Sequence, residues 1–449
     1  MSRDRIEDDR DVRAALAWLA SATGDAPAFH ARLEHAQEAY RRFTASAVNL
    51  GQDPVFADIG PDVVAAYLAQ AKSLLDDRRS YDLALASKTV PWVKQMGRNA
   101  ALLNRIPGAR ERAARMLSVG AESVLPDSAM FELVIASNYA AEGLEVAFVD
   151  EAKGQARTPD LRLSSGELPE PLFVECKRLG RGQYEQAEQA RHRLLFRDVA
   201  ELIDRRGLSV HIDVTYTREL VDVPETYLTD HLLQALSSRI ATPDGYPWKD
   251  EFGYGEIRRA NLAAVRADIQ DTSLYFGTKL ARLLSGRVVR ETGYHLAAGA
   301  DPDRRDPRYI DTIRYGSVIT WQCIASSAIE RKSRYVKSKL VEADRQLQGH
   351  GAAIAHLAMD AELACESSDQ RRARNIDTIK AFAPKAVLLA IYVHYLVPRI
   401  SESHSWILDE TVDTFAPTTE PFPPTRIFPE STVLDNDLPA WKQQLVPPS

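Results

Sequence analysis

Apolar residues recur at three- and four-residue spacing through the first 120 residues, which is the period of a helix with one buried face. Alternation with a period of two, which is typical of strands, is scarce in this part of the chain. Pro107 and Gly108 interrupt the pattern before its last helix. We therefore expect a helical N-terminal domain over residues 1–120, with helices at 12–22, 29–44, 61–75, 90–103 and 109–117.

The pattern changes at Pro126. Asp127 or Ser128 is a suitable N-cap for a helix that runs to Gly143, since glycine often ends helices. Short apolar runs separated by polar loops follow, and these indicate strands. This region predicts, in order, strands at 144–150, 158–163 and 172–177, a long polar helix at 183–205 and a strand at 208–216.

The rest of the chain mixes helical and strand-like runs. Residues 222–320 contain one helical segment and several β-like runs, which we interpret as an insertion or an extension of the sheet. An α/β pattern then resumes, with a helix at 332–348, a strand at 352–360, a helix at 368–382 and a long apolar strand at 386–397. We expect an α/β domain over 121–420 and an irregular tail, rich in proline and threonine, over 421–449.

Composition excludes several classes of protein. The chain has 449 residues, of which 45% are hydrophobic and 27% charged, as in ordinary globular proteins. The net charge of -7 excludes a globally basic surface but leaves a local basic groove open. Three dispersed cysteines, Cys176, Cys323 and Cys365, match neither a disulfide framework nor a thiolate zinc motif. The charged N-terminus and the shortness of the longest apolar run lead us to expect a cytoplasmic protein without membrane contact.

Three polar residues lie at the ends of two consecutive predicted strands. Asp160 lies near the start of one strand, and Glu175 and Lys177 lie at the end of the next. Because side chains alternate along a strand, Glu175 and Lys177 share a face and Cys176 points away. Carboxylates suit Mg²⁺, which assists phosphodiester hydrolysis, and a neighbouring lysine can orient the attacking water. The pattern therefore predicts a site for metal-assisted hydrolysis.

Spacing alone does not single out these residues. Two other sets have a similar arrangement, namely Asp303 with Glu330 and Lys332, and Asp127 with Glu151 and Lys153. Both sets lie in loops, helix starts or turns, whereas only the first set falls on two consecutive strands. The sequence has no P-loop, no His-Glu-x-x-His zinc motif and no Gly-x-Ser-x-Gly elbow that would indicate a different chemistry.

The chain resembles the PD-(D/E)XK, or restriction-endonuclease-like, superfamily of nucleases. The matching residues are Pro159-Asp160 and Glu175-Cys176-Lys177, and the order of helix and strands also agrees. The close match covers residues 126–216. The resemblance implies a core of mixed sheet flanked by helices, which the later pattern from 332 to 397 would continue.

The resemblance also implies a role for each site residue. Asp160 and Glu175 would bind Mg²⁺, for which Mn²⁺ can substitute, and the carbonyl of Cys176 would be a further metal ligand. Lys177 would position or activate water. Many members of the superfamily add an acid on the first helix, a place that Glu132 occupies in this chain. Glu132 is either that catalytic acid or a surface residue.

These observations predict a magnesium-dependent nuclease, most simply a DNA endonuclease in restriction or antiviral defence. RNA is a second possible substrate, and a partner subunit or a second copy of the chain is left open. The alternative is a non-catalytic nucleic-acid-binding or scaffold protein that retains the fold.

Basic residues near the motif are candidates for phosphate contacts. They are Arg178, Arg181, Arg191 and Arg193 after the motif strand, and Lys332, Arg334, Lys337 and Lys339 on the later helix. The alternative interpretation is a solvated helix face. Gln183, Gln186 and Gln189 either contact the site from the helix that follows the motif strand or lie on a solvated helix face.

Overall fold

A computed structural model of the chain describes residues 4–46, 62–76, 81, 83–118, 126–149, 158–180, 182–238, 245–268, 278–286, 293–302, 304, 310–361, 366–400, 406–416 and 426–428. Helices and two mixed sheets are present, so the predicted α/β class is confirmed. The boundary predicted near residue 120 and most of the predicted tail lie outside the described residues. None of the helices within these ranges is long and apolar enough to cross a bilayer.

Helices make up the whole N-terminal part of the described chain. The helices are α1 (Asp4–Thr23), α2 (Ala26–Ser46), α3 (Val63–Asp76), α4 (Leu83–Arg98), α5 (Ala100–Leu103), α6 (Ala109–Leu117), α7 (Pro126–Ala141), α8 (Gln183–Arg206), α9 (Tyr227–Ser237), α10 (Leu262–Asp268), α11 (Thr278–Ser285), α12 (Ser326–Leu347) and α13 (Glu366–Lys380). The predicted helical character is thus confirmed for the described residues between 4 and 118. Gly143 follows α7 with a φ of 87°, a left-handed conformation that ends the helix as expected.

The strands fall into two sheets. They are β1 (Glu145–Phe148), β2 (Leu161–Ser164), β3 (Leu172–Leu179), β4 (Val210–Tyr216), β5 (Tyr246–Lys249), β6 (Gly253–Arg259), β7 (Tyr294–Pro302), β8 (Ile310–Cys323), β9 (Ala352–Asp360), β10 (Val387–Ile400) and β11 (Trp406–Phe415). The first sheet has the order β1-β2-β3-β9-β10-β11, and the second has the order β5-β6-β4-β8-β7.

The first sheet carries the predicted motif strand, β3. β1, β2 and β3 form an antiparallel meander, β9 and β10 run parallel to β3, and β11 is antiparallel to β10. The expectation that the pattern from 332 to 397 continues the sheet is confirmed, because β9 pairs directly with β3. The sequence pattern did not predict β11.

The second sheet corrects one expectation. The strand expected at 208–216 is present as β4, but it pairs with β6 and β8 and makes no part of the sheet that contains β3. Both faces of β4 are buried, and such a strand carries no local information about its neighbours. The inserted sheet therefore begins with β4, earlier than the expected start of the insertion at 222.

Helices cover both faces of the first sheet. On one face, α1–α7 share a continuous apolar core with the sheet, which includes Val174 and Cys176 of β3. On the other face, α12 and α13 pack against Leu179 and β9. The N-terminal helices thus share one apolar core with the strand that carries the motif.

A buried polar chain crosses the face covered by α7. Tyr139 Oη lies 2.8 Å from His356 Nε2, His356 Nδ1 lies 2.9 Å from His394 Nε2, and His394 Nδ1 lies 2.7 Å from Glu410 Oε1. The carboxyl group of Glu410 also accepts hydrogen bonds from the backbone N–H groups of residues 427 and 428, at 2.8–3.0 Å. These hydrogen bonds hold the segment 426–428 against the sheet.

Candidate functional site

The motif strand β3 presents Glu175 and Lys177 on one face, as its alternation predicts. Glu175 is completely buried, and the ammonium group of Lys177 forms an ion pair with its Oε1 atom. Lys177 Nζ also donates a hydrogen bond to Oε1 of Gln346 on α12, at 2.5 Å. Cys176 points to the opposite face, into the apolar core. Lys177 is therefore fixed by two contacts.

The backbone brings Asp160 to the same place. Asp160 lies immediately before β2, and its N–H donates to the carbonyl of Val174 on β3 at 3.1 Å. Its Oδ2 atom accepts a hydrogen bond from the N–H of Cys176 at 2.8 Å. The carboxylate of Asp160 is thus held beside the segment 175–177, so the structure places the three motif residues together.

Glu132 joins this cluster from α7. It is only 6% exposed on a helix whose neighbouring residues are buried on all sides, so the interpretation as a surface acid is wrong. Its Oε2 atom is in ion-pair contact with Nη2 of Arg112 on α6, and the same Nη2 lies 3.5 Å from Oδ1 of Asp160. Arg112 therefore joins the acid on α7 to the acid before β2.

A tight approach of α6 to β1 positions Arg112. Gly108 precedes α6 with a φ of 84°, and a Cβ atom at this position would lie 2.6 Å from Cβ of Phe148. The carbonyl of Pro107 accepts a hydrogen bond from the N–H of Phe148 at 2.9 Å. Only glycine combines this backbone conformation with so close a contact. The turn before α6 thus fixes the distance between α6 and the sheet.

Replacing Gly108 with alanine tests this positioning. Gly143→Ala is the matched control, because Gly143 has a φ of 87° but no atom within 4 Å of an added Cβ. The control should lose about 1–2 kcal/mol of unfolding free energy through backbone strain alone. Gly108→Ala should lose about 1–3 kcal/mol more, as expected for overpacking. Urea denaturation measures both losses, and equal losses would show that the contact with Phe148 does not constrain α6.

Burial and repulsion between neighbouring carboxylates raise the pKa values of Glu132 and Glu175. Burial, and then the charge of Asp160, raise the pKa of Glu132 to about 8, while Arg112 acts in the opposite direction. Burial and Asp160 also raise the pKa of Glu175 well above its usual value, against the effect of Lys177. Burial lowers the pKa of Lys177, but Glu175 outweighs this effect and the net shift is upward. A further positive charge beside these carboxylates would therefore stabilise their ionised forms.

The donor atoms suit a hard cation. Glu175 Oε2 is buried and has no hydrogen-bond partner among the described residues, an arrangement that normally requires an explanation. Asp160 offers a second carboxylate beside it, and carboxylate oxygens are the ligands that Mg²⁺ prefers. Within the described ranges, no three His, Cys, Asp or Glu side chains are already arranged as a metal-binding group. The cationic groups of Arg112 and Lys177 contact the carboxylates instead.

Two residues of the cluster were not found by sequence reasoning. Arg112 interrupts the buried stripe of α6, formed by Ala109, Ala113 and Met116, and a charged residue in that stripe was the available signal. Gln346 gave no signal, because it is one polar residue in a long polar helix. The glutamines that we considered at the start of α8 do not take this role, and Gln183 and Gln186 are exposed.

Several of the basic residues predicted to contact phosphate form ion pairs with acids of the same chain. The side chain of Arg178 is 5% exposed and lies 2.5 Å from Oδ1 of Asp360, and Lys332 lies 2.7 Å from Oε2 of a buried Glu188. Other candidates form pairs with neighbouring acids, at Arg191–Glu225, Arg334–Glu330 and Lys339–Glu342. Arg193 and Lys337 are exposed, and Arg181 lies outside the described residues. The charges of Lys332 and Arg178 are thus already paired with acids of the protein.

The competing motif matches do not form a comparable site. Glu330 and Lys332 lie on α12, where each has a different partner, Arg334 and Glu188. Asp303 and residues 151–153 lie outside the described part of the chain. Comparison with known proteins found no family model, no curated protein and no solved structure that matches this chain.

Proposed function

We propose that the chain is a magnesium-dependent nuclease that hydrolyses phosphodiester bonds in DNA. The observation that carries the proposal is the convergence of Asp160, which lies immediately before β2, with Glu175 and Lys177 on β3. Asp160 accepts the N–H of Cys176, between the other two residues. A buried oxygen of Glu175 lacks a hydrogen-bond partner among the described residues. This combination of groups suits metal-assisted hydrolysis.

The strand order is compatible with the PD-(D/E)XK superfamily, which the motif resembles. A helix, α7, precedes an antiparallel meander of three strands, and the motif lies on its third strand, β3. A parallel strand, β9, follows a helix, α12, and pairs with β3. The second sheet is inserted between β3 and α12, which supports a restriction-endonuclease-like core with a large insertion.

Each residue of the cluster has a role in the proposed reaction. Asp160 and Glu175 would hold Mg²⁺ or Mn²⁺, together with the carbonyl of Cys176 that the resemblance implies. The bound cation would neutralise negative charge that develops on the phosphate. Lys177 Nζ would orient the attacking water, and its contact with Gln346 keeps it in place. Glu132 would adjust the charge of the site through Arg112.

The proposed biological role is restriction or antiviral defence. It rests on the combination of a nuclease-like site with a helical N-terminal segment, and this combination is an analogy at the level of the fold. The alternative of a non-catalytic nucleic-acid-binding protein retains the same cluster but predicts no cleavage. A cleavage assay therefore decides between the two functions.

The test is incubation of the purified full chain with plasmid DNA, linear DNA and RNA. Cleavage of DNA should occur with Mg²⁺ or Mn²⁺ and should stop with a chelator, because the carboxylates cannot stabilise the phosphate without a cation. Gel electrophoresis reports linear or nicked products. DNA binding without cleavage in any of these metals would support the non-catalytic alternative.

Lys177→Met is the informative variant in this assay. It should reduce turnover by about a hundredfold or more, as expected when a positioned group for proton transfer is lost. The affinity for Mg²⁺ should not weaken, because the ammonium group is not a ligand. A parallel loss of metal binding and turnover would indicate local unfolding around Glu175 instead.

A further inference from the structure

The guanidinium group of Arg112 lies beside two of the three acids of the cluster, Glu132 and Asp160. Its Nη2 atom contacts Oε2 of Glu132 and lies 3.5 Å from Oδ1 of Asp160. Lys177 is paired with Glu175, so each of the three acids contacts one of the two cationic side chains. The three acids carry one formal charge more than these two cations when all five groups are ionised.

The contact of Arg112 is built into the fold rather than formed on the surface. Its side chain is 19% exposed, and that of Glu132 is 8% exposed. Buried carboxylates need a compensating charge, since an unpaired buried ion is strongly unfavourable. The turn at Gly108 holds α6 against Phe148 and keeps Arg112 within reach of both acids. The N-terminal helices thus supply the counter-ion of the site.

We propose that Arg112 is the counter-ion of Glu132 and Asp160 and competes with the divalent metal for Asp160. The inference rests on the proposed function, because it assumes that Asp160 binds metal. Metal binding would break the contact of Arg112 with Asp160, which loosens the guanidinium group while its ion pair with Glu132 remains. Metal loading would then be coupled to the position of the Arg112 side chain on α6.

The first experiment measures Mn²⁺ binding to the full chain by titration calorimetry. Arg112→Gln should bind Mn²⁺ about tenfold more tightly than the wild type, because one competing charge is removed from a partly buried site. Arg112→Lys retains the charge and should stay close to the wild type. An unchanged or weaker affinity of Arg112→Gln would overturn the proposal, since Arg112 would then support the ligands instead of competing with the metal.

A second experiment uses the wild type and does not depend on the folding of a variant. Phenylglyoxal modifies accessible arginines, and peptide mass spectrometry locates the modified residue. Mn²⁺ should increase the modification of Arg112 severalfold. Arg32 is the control, because its side chain is 20% exposed and paired with Asp62 at 2.6 Å, and its modification should not change. Equal modification of Arg112 with and without Mn²⁺ would overturn the proposal.

Asp160→Asn separates this inference from the proposed function. Asparagine keeps an oxygen that can accept the N–H of Cys176 but removes the charged ligand. Binding of Mn²⁺ that weakens in Asp160→Asn but is insensitive to Arg112→Gln would overturn the competition alone. Absence of any Asp160-dependent Mn²⁺ binding in the wild type would overturn the metal site and the competition together.

Discussion

Replacing Glu175 with glutamine is expected to reduce DNA cleavage by about a hundredfold or more, because the bound cation contributes several kcal/mol of charge stabilisation to the transition state. Glutamine has nearly the same shape, so it removes the charge of a completely buried ligand without leaving a cavity. The measurement is the initial rate of plasmid cleavage at saturating Mg²⁺, together with the Kd of Mn²⁺. Both the rate and the metal affinity should decrease.

Glu330→Gln is the matched control for this substitution. Glu330 has the same spacing to Lys332 as Glu175 has to Lys177, but it lies on α12 and pairs with Arg334 at the surface. Its replacement should leave cleavage at the wild-type rate. A variant of Glu175 that cleaves at the wild-type rate would show that the cluster on β3 is not the active site.

The second large effect is expected for the buried polar chain. Glu410→Ala should lower the free energy of unfolding by about 3–5 kcal/mol, because each buried donor that loses its hydrogen-bond partner costs about 1–3 kcal/mol. The substitution leaves His394 and the backbone N–H groups of residues 427 and 428 without the carboxyl group that they contact. Denaturant unfolding and the thermal midpoint both report this loss.

Glu201→Ala provides the comparison for Glu410→Ala. Glu201 is exposed and lies 4.0 Å from Arg205 one helical turn away. Its loss should change stability by less than about 0.5 kcal/mol, as is usual for an exposed pair on a helix. Similar changes for the two variants would mean that the chain from Tyr139 to Glu410 contributes little to holding the segment 426–428.

The periodicity of the sequence determined most elements and the relation of the motif residues. Glu175 and Lys177 lie on one face of β3 because alternation is a property of the extended backbone itself. Helix periods likewise indicated the N-terminal helices, and Gly143 marked the end of α7. These features depend on residues a few positions apart, and a sequence shows such relations directly.

The pairing of strands was decided by the tertiary structure. β4 is the next strand after β3 in the chain, yet β9 and not β4 is the parallel neighbour of β3. A strand buried on both faces fits any sheet, and only the packing of the whole insertion selects its partners. β11 was missed for a related reason. Charged residues such as Asp409 and Glu410 obscure its strand pattern although both are buried, and Glu410 contacts His394 on the neighbouring strand.

The residues of the site likewise fall into two groups, those that the sequence predicted and those that only the tertiary structure showed. Asp160, Glu175 and Lys177 were identified from the sequence because neighbouring strands join them over a short stretch of chain. Gln346 lies 169 residues from Lys177, and Arg112 reaches Asp160 from a helix outside the motif region. Their roles depend on the docking of α6 and α12 against the sheet. The sequence by itself therefore determined that Asp160, Glu175 and Lys177 meet. Only the tertiary structure decided that Glu132 and Arg112 join them, because long-range packing sets those distances.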